Sequence, residues 1–121
     1  MERPLGIHTS RTGDTLLIRL TGELDVYTSS EVPSTADAVF GQGLTSVVLD
    51  LTDLEYMDST GLRQILRLHR VTRASNVGFT VRSVENTVIS RMLKLIGAGD
   101  VFPLEILPDG RDSRPDETPS N

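Results

Sequence analysis

The chain has 121 residues, a hydrophobic content of 37% and a formal net charge of -5 at pH 7, which suits one domain with a buried core. This acidic balance argues against nucleic acid as a partner and favours a protein. With no cysteine, no apolar run near the roughly 20 residues that span a bilayer and no apolar leader, the expectation is a cytoplasmic chain without disulfides or membrane contact.

The first part of the chain predicts a hairpin followed by a helix. Leu5 to Arg11 alternates as a weak strand, and Thr15 to Leu20 is a stronger one after a tight turn. Gly22-Glu23-Leu24-Asp25 then leads into a helix that Ser29 or Ser30 caps. The expected buried face of this helix consists of Val32, Ala36, Val39 and Phe40.

The central stretch predicts a buried strand, a connection and a second helix. Val47-Val48-Leu49 has the apolar character of a strand that is buried on both faces, and Asp50 to Met57 reads as a connection. Asp58 or Ser59 is the expected N-cap of the following helix. Ser59 and Thr60 thus place two hydroxyls at a helix start, where unpaired amides and the helix dipole suit a phosphate.

The last part of the chain predicts one more strand–helix unit and a short edge strand. Phe79 to Arg82 is the strand, Glu85 to Ile96 the helix, and Val101 to Leu107 the edge strand. Gly97 suits a left-handed residue after that helix. The helix should bury Val88, Ile89, Met92, Leu93 and Ile96.

The fold class expected from these elements is α/β, with one domain at residues 1–107. An N-terminal hairpin followed by strand–helix repeats implies a mixed sheet of four to five strands with helices packed on it. Residues 108–121 are rich in proline and charge and predict a disordered C-terminal tail.

Three kinds of reactive site fit the residues poorly. Ser59 has no Gly-x-Ser-x-Gly elbow, and His69, expected at the helix surface or half-buried, lies about 15 Å along the same helix. Asp50, Asp53, Glu55 and Asp58 lack the glycine and glutamate spacing of a calcium loop, so a solvated loop is expected there. Gly41-Gln42-Gly43 precedes a strand and is no phosphate loop. We therefore expect no catalytic residue, metal or cofactor.

A receiver-like phosphoacceptor is a further alternative, because Asp50 follows a buried strand. Receiver domains also need an acidic pair after their first strand and a lysine late in the fold. Here the early strands end in Arg11 and in Thr21-Gly22, and the only lysine, Lys94, lies within a helix. This local resemblance is therefore discounted.

Three segments resemble the STAS domain of bacterial anti-sigma factor antagonists over residues 5–107. They are LTGELDVYTS at Leu20–Ser29, VVLDLTDLEYMDSTGL at Val47–Leu62, and the stretch LKLIGAGDVFPL. The Asp-Ser-Thr-Gly-Leu box between a strand and a helix is the most specific of these matches. The resemblance implies the same fold class as the element order.

The resemblance also implies a function and a site. In that family an anti-sigma factor, itself an ATP-binding serine kinase, phosphorylates the serine after the aspartate, which here is Ser59. Thr60 stands where a second serine is common and is the other candidate hydroxyl. Asp25, Asp58, Thr60 and Gly61 match positions at or beside the partner-binding surface.

The function so implied is that of a non-enzymatic switch. Its unmodified form binds the anti-sigma factor and frees a sigma factor, phosphorylation of Ser59 weakens that binding, and a phosphatase is expected to reverse the modification. A STAS scaffold that binds without being phosphorylated is the alternative within the family.

Overall fold

Five strands form one mixed sheet within the part of the chain that the computed structural model describes, residues 4–25, 28 and 43–109. They are β1 (Gly6–Thr12), β2 (Thr15–Leu24), β3 (Ser46–Met57), β4 (Gly78–Val84) and β5 (Leu104–Leu107), in that spatial order. β1 and β2 are antiparallel, and each later strand runs parallel to its predecessor. The predicted hairpin and mixed sheet are confirmed.

Two α-helices follow β3 and β4 in the described residues. They are α1 (Ser59–Ala74) and α2 (Val88–Leu95), and a 3₁₀ turn (Ala98–Asp100) leads on towards β5. Thr87 and Ser90 form a reciprocal capping box at the start of α2. Gly97 has a φ of 71°, which confirms the predicted left-handed residue after this helix.

The core lies on one face of the sheet, under the helices. β2 alternates buried and half-buried residues along its whole length, as expected for a strand with one covered face. Ile65 and Leu68 of α1, and Ile89 and Leu93 of α2, are buried within the same hydrophobic cluster. The main strand residues in it are Leu16, Ile18, Leu20, Leu24, Val47, Leu49, Leu51, Met57, Phe79 and Val81.

The predicted connection over Asp50–Met57 is wrong, because β3 continues to Met57. β2 likewise runs to Leu24 and does not end at Leu20, so the two strands extend side by side. The pairing of this extension is irregular, with register shifts between Arg19 and Thr21 and between Gly22 and Glu23. At both shifts the extra residue lies in β3, where it breaks the two-residue alternation by which a strand is recognised in a sequence.

The prediction for α2 is wrong at its start and on part of its face. Asn86 has a φ of 65° and Thr87 is the cap, so the helix begins at Val88 and not at Glu85. Val88 and Ile96, predicted to be buried, are 56% and 46% exposed. Ile89 and Leu93 are buried as predicted and hold the helix on the sheet.

The described residues include only Pro108 and Asp109 of the predicted tail and none of the predicted first helix. Asp109 is only 7% exposed and residues 110–121 lie outside the described residues, so the boundary at residue 107 and the tail stay predictions. The predicted first helix, with Ser29, Ser30 and its apolar face, also falls outside the described residues, as does most of Gly41-Gln42-Gly43. Within the described residues, no helix is both long and apolar enough to cross a bilayer.

Candidate functional site

The ends of β2 and β3 bring two aspartates to one edge of the sheet. Leu24 is paired with Met57 in the parallel register, and Asp25 and Asp58 follow directly after the ends of these two strands. The amide of Asp58 donates to the carbonyl oxygen of Leu24 at 3.2 Å. Asp25 and Asp58, which lie 33 positions apart in the sequence, therefore lie beside each other at this edge of the sheet.

Asp58 is the N-cap of α1, which decides between the two predicted caps. Its backbone is extended (φ -104°, ψ -174°), and its Oδ1 accepts from the amide of Gly61 at 2.9 Å. Its carbonyl oxygen accepts from the amide of Leu62 at 3.0 Å, which starts the helical ladder. One of the otherwise unpaired amides of the first turn is thereby satisfied.

Ser59 is consequently available for another role. It is the first residue of α1 and is exposed. Its hydroxyl makes no hydrogen bond to any residue that the structure describes. A negative charge added here would sit at the positive end of the helix dipole. Thr60, the other candidate hydroxyl, is half-buried.

Gly61 lets the first turn of α1 lie directly on the end of β2. It is buried, and an added Cβ would lie 2.5 Å from the carbonyl oxygen and 2.8 Å from Cγ of Leu24. Backbone atoms cannot yield at that distance, so only glycine permits this approach. The glycine in the Asp-Ser-Thr-Gly box thus fixes where the Ser59 hydroxyl is presented.

Asp25 is held in a compact turn by Thr28. The Thr28 hydroxyl accepts from the amide of Asp25 at 3.0 Å and lies 3.0 Å from the carbonyl oxygen of Glu23, to which it can donate. The amide of Thr28 donates to Oδ1 of Asp25 at 3.2 Å. This role of Thr28 was not predicted, although an Asp with a Thr three residues later is typical of side-chain-stabilised turns.

The four central carboxylates do not converge on one point. Asp50 lies inside β3 and is 8% exposed, and its Oδ1 accepts from the amide of Thr52 at 2.9 Å. Asp53 pairs with Arg19 at 2.8 Å on the open face of the sheet. Among the described residues, no group of three or more histidine or acidic side chains is arranged to hold a metal ion.

Asp50 also differs from the geometry of a receiver phosphoacceptor. Such an aspartate lies at the end of its strand, whereas here β3 continues past Asp50 to Met57. Lys94, the one lysine, is exposed on α2. The discounted alternative therefore gains no support.

His69 is half-buried, as predicted, and belongs to an aromatic cluster within the core. Its ring lies 5.7 Å from that of Phe79 and 5.6 Å from that of Phe102, measured between centroids. Burial, together with the positive charges of Arg73 and Arg70, lowers the pKa of His69. His69 connects α1 to the sheet and is not part of the predicted partner-binding surface around Ser59.

Comparison with known proteins agrees with this architecture. The family model of the STAS domain matches residues 7–108. An anti-sigma F factor antagonist of Paenibacillus polymyxa is 33% identical over 90 residues, which cover 74% of this chain and 76% of that protein.

Solved structures share the fold. An anti-sigma factor antagonist from Mycobacterium paratuberculosis aligns with a TM-score of 0.72 at 23% identity, over 84% of this chain and 85% of that one. The Bacillus cell fate determinant SpoIIAA, in its phosphorylated form, aligns with a TM-score of 0.61 at 22% identity, over 93% of this chain and 95% of that one. The predicted α/β fold is confirmed.

Proposed function

The chain belongs to the STAS domain family, and from this membership we propose that it acts as an anti-sigma factor antagonist. The observation that carries the proposal is the hydroxyl of Ser59, which is exposed at the start of α1, beside the turn of Asp25, and bonds to none of the residues in the described ranges. The name of the Paenibacillus relative and the existence of a phosphorylated form of SpoIIAA support it.

In the proposed cycle the unmodified chain binds an anti-sigma factor with an ATP-binding kinase fold, and a sigma factor is released. Asp25, Asp58, Ser59 and Thr60 form the contact surface, and Gly61 sets the position of the helix start behind it. The kinase transfers a phosphoryl group to Ser59, which weakens the complex, and a phosphatase restores the binding form. The chain itself catalyses no reaction in this cycle, which runs in the cytoplasm.

Two opposing energies decide how the phosphate acts. The modification adds about -1.5 to -2 charges. In the free domain, the amides and dipole of α1 stabilise that charge by about 0.3–1 kcal/mol, so the fold tolerates it. At a desolvated interface the same unpaired dianion costs several kcal/mol. Since about 1.4 kcal/mol is a tenfold change in affinity, the interface cost dominates and the partner is released without refolding.

Incubation with ATP and each candidate anti-sigma kinase tests the assignment of the site. We expect one phosphoryl group per chain, lost in Ser59→Ala, retained in the matched control Thr60→Ala and stable to acid and hydroxylamine. Full labelling of Ser59→Ala would contradict the assignment. Loss of label in hydroxylamine would indicate an acyl phosphate, as at Asp50, and binding without labelling would indicate a non-phosphorylated scaffold.

A further inference from the structure

Helix α1 carries an unusual concentration of positive charge. Its sequence, STGLRQILRLHRVTRA, contains four arginines and no acidic residue, in a chain whose formal net charge is -5. All four arginines, Arg63, Arg67, Arg70 and Arg73, are exposed. This basic surface begins immediately after the proposed phosphorylation site.

Three of these arginines and Ser59 lie along one line of the helix. At about 3.6 residues per turn, Arg63, Arg67 and Arg70 fall within an arc of about 60°. We call these three residues the arginine stripe. Ser59 is one turn before Arg63 on the same side, and helical side chains lean towards the N-terminus, so the stripe points back towards the Ser59 hydroxyl.

Among the residues that the structure describes, nothing offsets the repulsion between the positive charges of the arginine stripe. Arg63 and Arg67, and then Arg67 and Arg70, have the spacing at which like charges destabilise a helix. No stripe residue forms an ion pair with any residue that the structure describes. Arg19 and Arg82 on the sheet, by contrast, pair with Asp53 and Glu105. Local conflicts of this kind are expected where a surface serves a partner.

We propose that the arginine stripe docks on an acidic surface of the anti-sigma factor. The inference rests on the proposed function and extends its contact surface from the start of α1 along the helix to Arg70. Charge complementarity identifies the chemistry of the partner: clustered carboxylates would relieve the repulsion among the arginines. A phosphate on Ser59 would lie one turn from Arg63 and compete with those carboxylates for it.

A protein fits this surface better than a nucleic acid does. Glu23, Asp25 and Asp58 lie at the end of the sheet where the stripe begins, and their carboxylates would repel a continuous polyphosphate. A protein surface that carries both signs of charge can satisfy the acidic edge and the arginine stripe together. Such a pattern also fixes the orientation of the complex and speeds its formation.

The test measures association kinetics with the anti-sigma factor that labels Ser59. Arg67→Glu and Arg70→Glu should each lower the association rate constant about tenfold or more and weaken its dependence on salt. Both residues are more than one turn from Ser59. Arg91→Glu is the matched control, because it makes the same charge change at an exposed site on α2 and should leave the rate within about twofold of wild type.

A stability measurement separates docking from a structural role. Arg67→Glu places an acidic residue between Arg63 and Arg70 at helix-neighbour spacings, so the urea midpoint should stay the same or rise.

If Arg67→Glu and Arg70→Glu bind as fast as wild type, the inference is overturned while the proposed function stands. Binding of a short DNA duplex that Arg67→Glu abolishes would overturn it in favour of nucleic acid. If no anti-sigma factor binds the wild-type chain, the proposed function itself fails, and this inference with it.

Discussion

Gly61 shows how a single residue fixes the geometry of the site. Gly61→Ala would favour the helix intrinsically, but its methyl group would lie 2.5 Å from the carbonyl oxygen of Leu24. The clash should dominate and lower the free energy of unfolding by about 1–2 kcal/mol, measured by urea denaturation. Gly99→Ala is the control: nothing lies within 4 Å of its added Cβ, so the change should stay within about 0.5 kcal/mol. Equal stability of both variants would contradict the close approach.

The roles of Asp58 and Ser59 can be separated by their effects on stability. Asp58→Ala removes the acceptor for the Gly61 amide and should cost about 1 kcal/mol in urea unfolding. Ser59→Ala removes a hydroxyl that is not the cap and should change stability by less than about 0.5 kcal/mol. The reverse order of these two losses would mean that Ser59 caps the helix in solution.

The residues of the candidate site are predicted from the sequence, whereas their detailed geometry is not. The residue types at 58 and 59 both suit an N-cap, and only the extended backbone and hydrogen bond of Asp58 decide between them. The paired ends of β2 and β3 depend on a register between strands that residues 25–45 separate, which local pattern does not reveal. The carboxylates of Asp50 and Asp53 suggested a loop because burial and the pairing with Arg19 are tertiary effects.

His69 makes the packing of α1 against the sheet sensitive to pH. The pKa of His69 is lowered in the folded state from its ordinary value of 6.5. Below pH 6.5 the unfolded chain therefore binds more protons than the folded chain does. The contribution of neutral His69 to the free energy of unfolding should therefore be fully present above pH 6.5 and should decline as the pH falls below 6.5. Urea midpoints between pH 8 and pH 5.5 measure this slope.

Two substitutions assign that slope to the aromatic cluster. His69→Phe keeps a ring beside Phe79 and Phe102 but cannot be protonated, so the decline between pH 6.5 and pH 5.5 should become shallower. His8→Gln, on the exposed strand β1, should retain the wild-type slope. A slope that survives in His69→Phe would assign the effect to other groups.

Two truncations test where the domain ends at its C-terminus. Removal of residues 110–121 deletes a polar segment nearly free of apolar side chains and should leave the melting temperature within a few degrees. Removal of residues 108–121 also deletes Asp109, which is 7% exposed, and should cost more. Equal melting temperatures would place the boundary at the predicted residue 107.

The affinity of the anti-sigma factor for Ser59→Asp tests the proposed switch most directly. The carboxylate adds one negative charge where the dipole of α1 stabilises it, so the free energy of unfolding should change by less than about 1 kcal/mol. Binding should weaken at least tenfold, because that charge must be desolvated against the partner. Ser59→Ala should bind like wild type and resist release by ATP. Wild-type affinity of Ser59→Asp would contradict the account, since Ser59 would then lie outside the contact surface.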